Sequence, residues 1–259
     1  MLPILYQDDH LVVIHKPAGL LVHRSELDRR ETRFAVQLLR DQLGRRVYPA
    51  HRLDRGTSGV LVFALDKETG QALSRQFENQ TVGKDYLAVV RGYPDEAGII
   101  DHALSRQPDP MEHVHPDALL APQPALTRYR RLATVELPVA VDTYATSRYA
   151  LLHLMPETGR RHQLRRHLKH IAHPIIGDAT YGKGRHNRMV AERYACPRLL
   201  LACVAMSLHH PLTGQALELV APVDGAFADL IRRWGWADAL PPSWLAPKAG
   251  AEGRKVAAP

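Results

Sequence analysis

Cysteine is nearly absent: the chain contains only Cys196 and Cys203. Two thiols that close together cannot form a disulfide framework in a chain of 259 residues, so reduced thiols and a cytoplasmic protein are expected. Long apolar runs are missing too. No window reaches the roughly 18 apolar residues of a membrane span. The first residues, MLPILYQDD, lack both a basic segment and an apolar run, so no signal peptide is read there. There is no Walker-type glycine loop and no G-x-S-x-G elbow, and no internal repeat stands out.

What is present is basic. Formal net charge is +7 and the pI is near 9.6, a balance that favours an anionic partner, with nucleic acid first. A merely basic soluble protein would show the same totals, so the placement of the charge has to decide. The 45% hydrophobic and 24% charged content is that of an ordinary globular chain, long enough to bury a proper core.

Strand-like runs dominate the pattern: Leu11 to Ile14, Val60 to Leu65, Tyr86 to Val90, Leu126 to Leu132, Tyr149 to Leu154 and Leu199 to Ala205. Helical spacing predicts helices over Thr32 to Leu43, from an Asp66 N-cap to about Asn79, over Arg160 to Ile171, and over Ala226 to Trp234. Hairpin-like strands mixed with helices indicate an α+β fold with a mixed, largely antiparallel sheet and flanking helices. The proline-rich stretch Arg106 to Pro124 reads as a long loop. One domain is expected over residues 1–238, with 239–259 a loosely held tail.

Two clusters carry chemistry. HRLDRGTSG (51–59) sets the carboxylate Asp54 between Arg52 and Arg55, then turns into a buried strand. Alone, this fits a surface ion cluster as well as a site at the rim of a rigid element. ETGRRHQLRRHLKH (157–170) gathers Arg160, Arg161, Arg165, Arg166 and Lys169. Helical spacing places Arg161, Arg165 and Lys169 on one face, and Arg160 with Arg161 at a helix start, where an anion would be welcome. A solvated basic face is the plain alternative. The histidines at 162, 167, 170 and 173 have the wrong spacing for a metal site and no carboxylate pair beside them, so no metal is expected.

With both clusters on the page, the sequence resembles the RluA-type pseudouridine synthases. HKPAGLLVH (15–23), HRLDRGTSGVLVFA (51–64), KDYLAVVRG (84–92), TGRRHQLRRHL (158–168) and HPLTG (210–214) match the family's motifs in order, over nearly the whole chain to about Trp236. One departure is Ala202-Cys203, where the family usually has His-Ala. With the first motif so near the start, no S4 RNA-binding domain is expected.

The resemblance implies an isomerase that acts on RNA, within the family most like its tRNA-directed members, with uridine 65 of tRNA as target. It implies no cofactor and no membrane, and a monomer is favoured. It assigns Asp54 as nucleophile, Arg165 as the partner that pairs with it across the fold, and Tyr86 as the ring that stacks on the uracil. Arg52 would fill the space left by a flipped base. Lys16, Arg55, Arg160, Arg161 and Arg166 are read as RNA contacts. Arg52 and Arg55 beside Asp54 are expected to keep it ionised and restrain its rotamers.

Overall fold

The computed structural model describes residues 1–24, 31–106 and 121–247. A hairpin opens the chain, β1 (Ile4–Gln7) and β2 (Leu11–Lys16), and Asp8 Oδ1 accepts from the backbone N–H of His10 and Leu11 at its turn. Then come α1 (Ala35–Leu43), β3 (Tyr48–Pro49), β4 (Ser58–Ala64), α2 (Lys67–Glu78) and β5 (Gly83–Arg91). Next are β6 (Ala97–Asp101), β7 (Leu104–Ser105), β8 (Pro122–Gln123), β9 (Leu126–Leu137) and β10 (Ser147–Pro156). The order closes with α3 (Gln163–His170), α4 (Gly184–Tyr194), β11 (Leu201–His209), β12 (Ala216–Val220) and α5 (Gly225–Arg233).

The main sheet runs β1-β2-β4-β11-β5-β10-β9-β6, with β3 on β4 and β12 on β11. Among the described residues every strand pairing in it is antiparallel except β4 with β11, where Ser58 and Gly59 lie opposite Ala202 and Cys203. This is the α+β, largely antiparallel sheet that the sequence pattern predicts. The parallel seam holds two half-sheets together, and the segment before β4 carries Asp54 to that seam.

Alternation along the strands feeds separate cores. Leu87 and Val89 of β5, with Tyr149 and Leu151 of β10, face Val190 of α4 and Phe227 and Ile231 of α5. Ala88 and Val90, with Ala150, Leu152 and Leu154, face Leu164 and Leu168 of α3. Strand β4 is buried along its whole length and joins α1 and α2 through Leu39 and Leu73. α2 begins where the sequence puts it: Asp66 accepts from the backbone N–H and the hydroxyl of Thr69.

Several expectations shift. α3 begins at Gln163 rather than Arg160, because Gln163 Oε1 accepts from Thr158 Oγ1 and the Arg160 N–H and stops the turn there. Arg161 therefore precedes the helix and shares no helical face with Arg165 and Lys169. α4 escapes the pattern, since only His186 and Val190 of its polar sequence are buried. Of the long proline-rich loop, residues 107–120 lie outside the described residues, while its flanks pair as β7 and β8. Packing also runs past residue 238: Leu240 is buried, Trp244 meets His153 edge-on, and Leu245 bridges to Val223. Residues 248–259 lie outside the described residues.

Gly59 is where the seam is least forgiving. Its φ is +115°, and a Cβ there would fall 2.0 Å from the carbonyl oxygen of Cys203. Gly59→Ala is expected to cost at least about 3 kcal/mol, since strain and a backbone clash add. Urea unfolding checks this, and an unchanged midpoint would contradict the parallel seam.

Candidate active site

The four residues of H-R-L-D divide their work by direction. Burial pushes the His51 imidazole down to about 3, so the ring is neutral, and its Nε2 accepts from the Val62 N–H while the ring stacks on Phe77. Leu53 is buried in the first core. Arg52 is exposed, and Asp54 is half-buried. Both line a cavity of about 1180 Å³ together with Tyr86, His162 and Arg165. Seven of the lining side chains are cationic (Arg52, Arg55, Lys84, Arg160, Arg161, Arg165 and Arg198) against three carboxylates (Asp54, Glu78 and Asp178). That excess suits a polyanion.

The guanidinium bound to Asp54 does not come from its sequence neighbours. Arg165 Nη1 donates to Asp54 Oδ2 at 2.9 Å. The other edge of the same guanidinium is taken by Asp178, with Nε to Oδ2 at 2.7 Å and Nη2 to Oδ1 at 2.9 Å. Asp178 is itself buried and accepts from the backbone N–H of Thr180 and Tyr181. Burial alone would raise its pKa, yet Arg165 and these N–H donors hold the carboxyl below the usual range. Burial likewise opposes charge on Arg165, and the two carboxylates more than offset it. The Tyr181 ring packs on the guanidinium at 5.1 Å.

Arg55 is turned elsewhere. Its Nε donates to Gly19 O and its Nη2 to Glu31, while the Gly19 N–H donates back to Arg55 O. Lys16 corrects an expectation outright. It is fully buried, and its Nζ donates to the carbonyls of Pro17, Leu20 and Arg55 at 3.0, 2.7 and 3.3 Å. With all three donors engaged, it has none for an RNA phosphate. The first motif is thus a clamp on the loop that carries Asp54.

Tyr86 lines the same cavity as Asp54, and Cys203 lies opposite it on the neighbouring strand. The two residues are register partners across β5 and β11, so the Ala202-Cys203 departure touches the site directly. Burial, with Cys203 and Asp54 adding to it, raises the Tyr86 pKa well above an ordinary phenol, and the Cys203 thiol is pushed up to about 12. The phenol is therefore neutral at pH 7, fit for stacking and hydrogen bonding rather than for proton abstraction.

Arg160 and Arg161 lie on the cavity wall, with Arg160 Nε donating to Pro124 O. Arg166 is outside the cavity lining, and its two terminal nitrogens bond the carbonyl and hydroxyl of Ser105. Sequence reasoning missed Asp178, Arg198 and His162. Arg198 lines the cavity and donates to Ser58 Oγ at 2.8 Å. Among the described residues no cluster of three or more His, Cys, Asp or Glu side chains is placed to hold a metal ion. His167, for example, is buried between Thr127 Oγ1 and the carbonyl of His102.

A cavity rich in cations around a carboxylate held by arginine suits a polyanionic substrate, and comparison with known proteins gives the class of the protein. Residues 10–170 match the family described as RNA pseudouridylate synthase, and the chain belongs to that family of isomerases. Its relatives include tRNA pseudouridine synthase C of Yersinia pestis, 50% identical over 241 residues, covering 93% of this chain and 94% of that one. The Vibrio cholerae protein of the same name is 46% identical, covering 93% and 98%. The Pectobacterium carotovorum counterpart is 50% identical, and the match covers 64% of it. Among solved structures, Human RNA Pseudouridylate Synthase Domain Containing 4 superposes with a TM-score of 0.66 at 27% identity, covering 90% of this chain and 93% of that one.

Lys16 offers a test of the clamp. Burial pushes its amine from the ordinary lysine range down to about 7, with the Asp54 charge opposing. Between pH 7 and about 10 the unfolded chain therefore keeps a proton that the folded chain has released, so stability from this position rises with pH. The stability of the parent relative to Lys16→Met is expected to increase across that range in urea unfolding. A constant difference would mean that the buried amine titrates as an ordinary lysine.

Proposed function

We propose that the protein isomerises one uridine of tRNA, uridine 65, to pseudouridine, with Asp54 as nucleophile. One observation carries this reading: Asp54 faces a cationic cavity with Oδ2 held by a buried arginine and Oδ1 clear of it. A solvated ion pair would need neither the burial nor Asp178 behind it. The tRNA target rests on the relatives named tRNA pseudouridine synthase C.

The chemistry asks little beyond these groups. The C1′–N1 bond breaks with uracil as leaving group, the base turns, and C5 bonds to C1′. C5 then loses its proton and N1 gains one, so the reaction balances without redox change or cofactor. Asp54 supplies the anion that stabilises or captures C1′ while the base is detached. Arg165 fixes its rotamer through the hydrogen bond to Oδ2. The target must first leave the stack, and Arg52, exposed at the cavity edge, fills the vacated place with a planar group that stacks and donates. The neutral Tyr86 ring packs on the turned-out uracil. Arg160 and Arg161 meet phosphates along the wall.

Asp54→Asn is expected to abolish pseudouridine formation while tRNA affinity stays within about tenfold, because phosphate contacts set most of the binding. Tritium release from C5-labelled uridine measures the turnover, with mass spectrometry excluding deamidation back to aspartate. Appreciable release by the asparagine form would sink the nucleophile role. Mapping pseudouridine in total RNA with and without the protein tests the target: loss at uridine 65 of tRNA is expected, and loss confined to ribosomal RNA would overturn the assignment.

A further inference from the structure

Several titratable side chains in the cavity have no part in the scheme so far, and one of them, His162, faces Asp54. His162 lies directly before α3, with its backbone at φ 55°, ψ 23°. That left-handed conformation costs free energy for a non-glycine residue and persists mainly where the surroundings enforce it for function. Helix capping does not explain it, because the side chain makes no cap hydrogen bond. The ring spans two other groups instead. Nδ1 lies 3.1 Å from the Tyr181 hydroxyl, and Nε2 lies 3.8 Å from Asp54 Oδ1. Arg165 already occupies Oδ2, so Oδ1 is the oxygen left for chemistry, and His162 faces it.

The tautomer follows from the partners. A carboxylate oxygen only accepts, so Nε2 carries the hydrogen toward Asp54 and Nδ1 accepts from the Tyr181 O–H. The charged and titratable groups around the ring are Arg161 on its own turn, Arg165 on α3, Asp54 before β4, and Asp178 and Tyr181 on the following turn. Lys169 packs on Tyr181 behind them. Burial lowers the imidazole pKa, with Arg165 and Arg161 assisting and the two carboxylates opposing, so the ring is neutral at pH 7.

We propose that neutral His162 is a positioning residue that aims Oδ1 of Asp54 at the ribose, and that protonated His162 closes on the same oxygen and silences it. The inference rests on Asp54 being the nucleophile. At 3.8 Å the neutral N–H is beyond hydrogen-bond reach, so the ring limits the carboxylate's swing by its position alone and leaves the oxygen's lone pairs free. Protonation turns the contact into a charge-assisted pair, which shortens to about 2.7–2.9 Å and occupies the attacking oxygen. The proton comes from water and returns to it, and no covalent step is added.

The test is single-turnover kinetics on a tRNA transcript, at saturating enzyme, across about pH 5 to 8. Parent enzyme is expected to lose rate on the acid side. His162→Asn keeps a residue that tolerates the left-handed backbone, and its rate at the upper end of that range should fall about ten- to a hundredfold, as for a misaimed reacting group. Its tRNA affinity should stay unchanged and its acid limb should vanish. Tyr181→Phe removes the ring's anchor without touching His162, and it should lose rate severalfold while keeping the acid limb. A parental rate and parental acid limb in His162→Asn would overturn the proposal. So would weakened tRNA binding with a parental rate at saturation, which would make His162 an RNA contact. If His162→Asn fails to fold, a parental rate in Tyr181→Phe overturns the proposal and a slowed one supports it. An active Asp54→Asn enzyme would remove the underlying reading, whereas an inactive one beside an unaffected His162→Asn would sink this inference alone.

Discussion

A guanidinium shared between two carboxylates organises this protein. Arg165 keeps only 9% of its full exposure, where an unpaired cation would be expensive, and Asp178 answers that cost with two parallel hydrogen bonds. Only then does the third donor reach Asp54 from a fixed origin. Losing one partner of such a pair typically costs about 3–5 kcal/mol, because the other charge is left buried and alone. The arrangement therefore couples stability to the placement of the Asp54 carboxylate.

The support extends further back than the site. Asp178 sits on a turn whose Gly177 has φ +80°, where a Cβ would fall 1.8 Å from the Arg198 carbonyl oxygen. Asn187 of α4 ties that turn at two points: Oδ1 accepts from the Gly177 N–H, and Nδ2 donates to Asp178 O. A helix that does not itself line the cavity thus fixes the turn, the turn fixes Asp178, and Asp178 fixes Arg165. On the opposite side, Lys16 and Gly19 lock the Asp54 loop by its backbone. The carboxylate is held from both ends, by backbone on one side and by charge on the other.

This division also sorts the positive charge. A net charge of +7 suggests RNA, but several of the cations in the family-like motifs work inside the protein. Lys16 and Arg165 are buried, and Arg55 and Arg166 bond neighbouring loops. Arg52, Arg160 and Arg161 are the candidates whose position on the cavity wall suits a polyanion. Cations that preorganise a site lose solvation and are held by carbonyls or carboxylates, whereas phosphate contacts work best while exposed.

The sequence by itself determined much of this. Apolar runs of strand length located the central strands, an Asp66 cap located α2, and motif order identified the family, because alternation, capping and turn chemistry are local. Asp54, Tyr86 and Arg165 were named as candidates through the resemblance, and the structure brings the three to one cavity. α4 was not, since a polar helix with two buried side chains leaves no stripe to read. Nor was Asp178, one aspartate among many until it meets an arginine in space. Only tertiary structure decided that the cation on Asp54 comes from 111 residues away and not from Arg52 or Arg55. It also decided that Lys16 is a buried clamp, that Cys203 lies opposite Tyr86, and that His162 faces the free oxygen. Each of those facts depends on burial and on distance across the parallel β4–β11 seam, and spacing along the chain encodes neither.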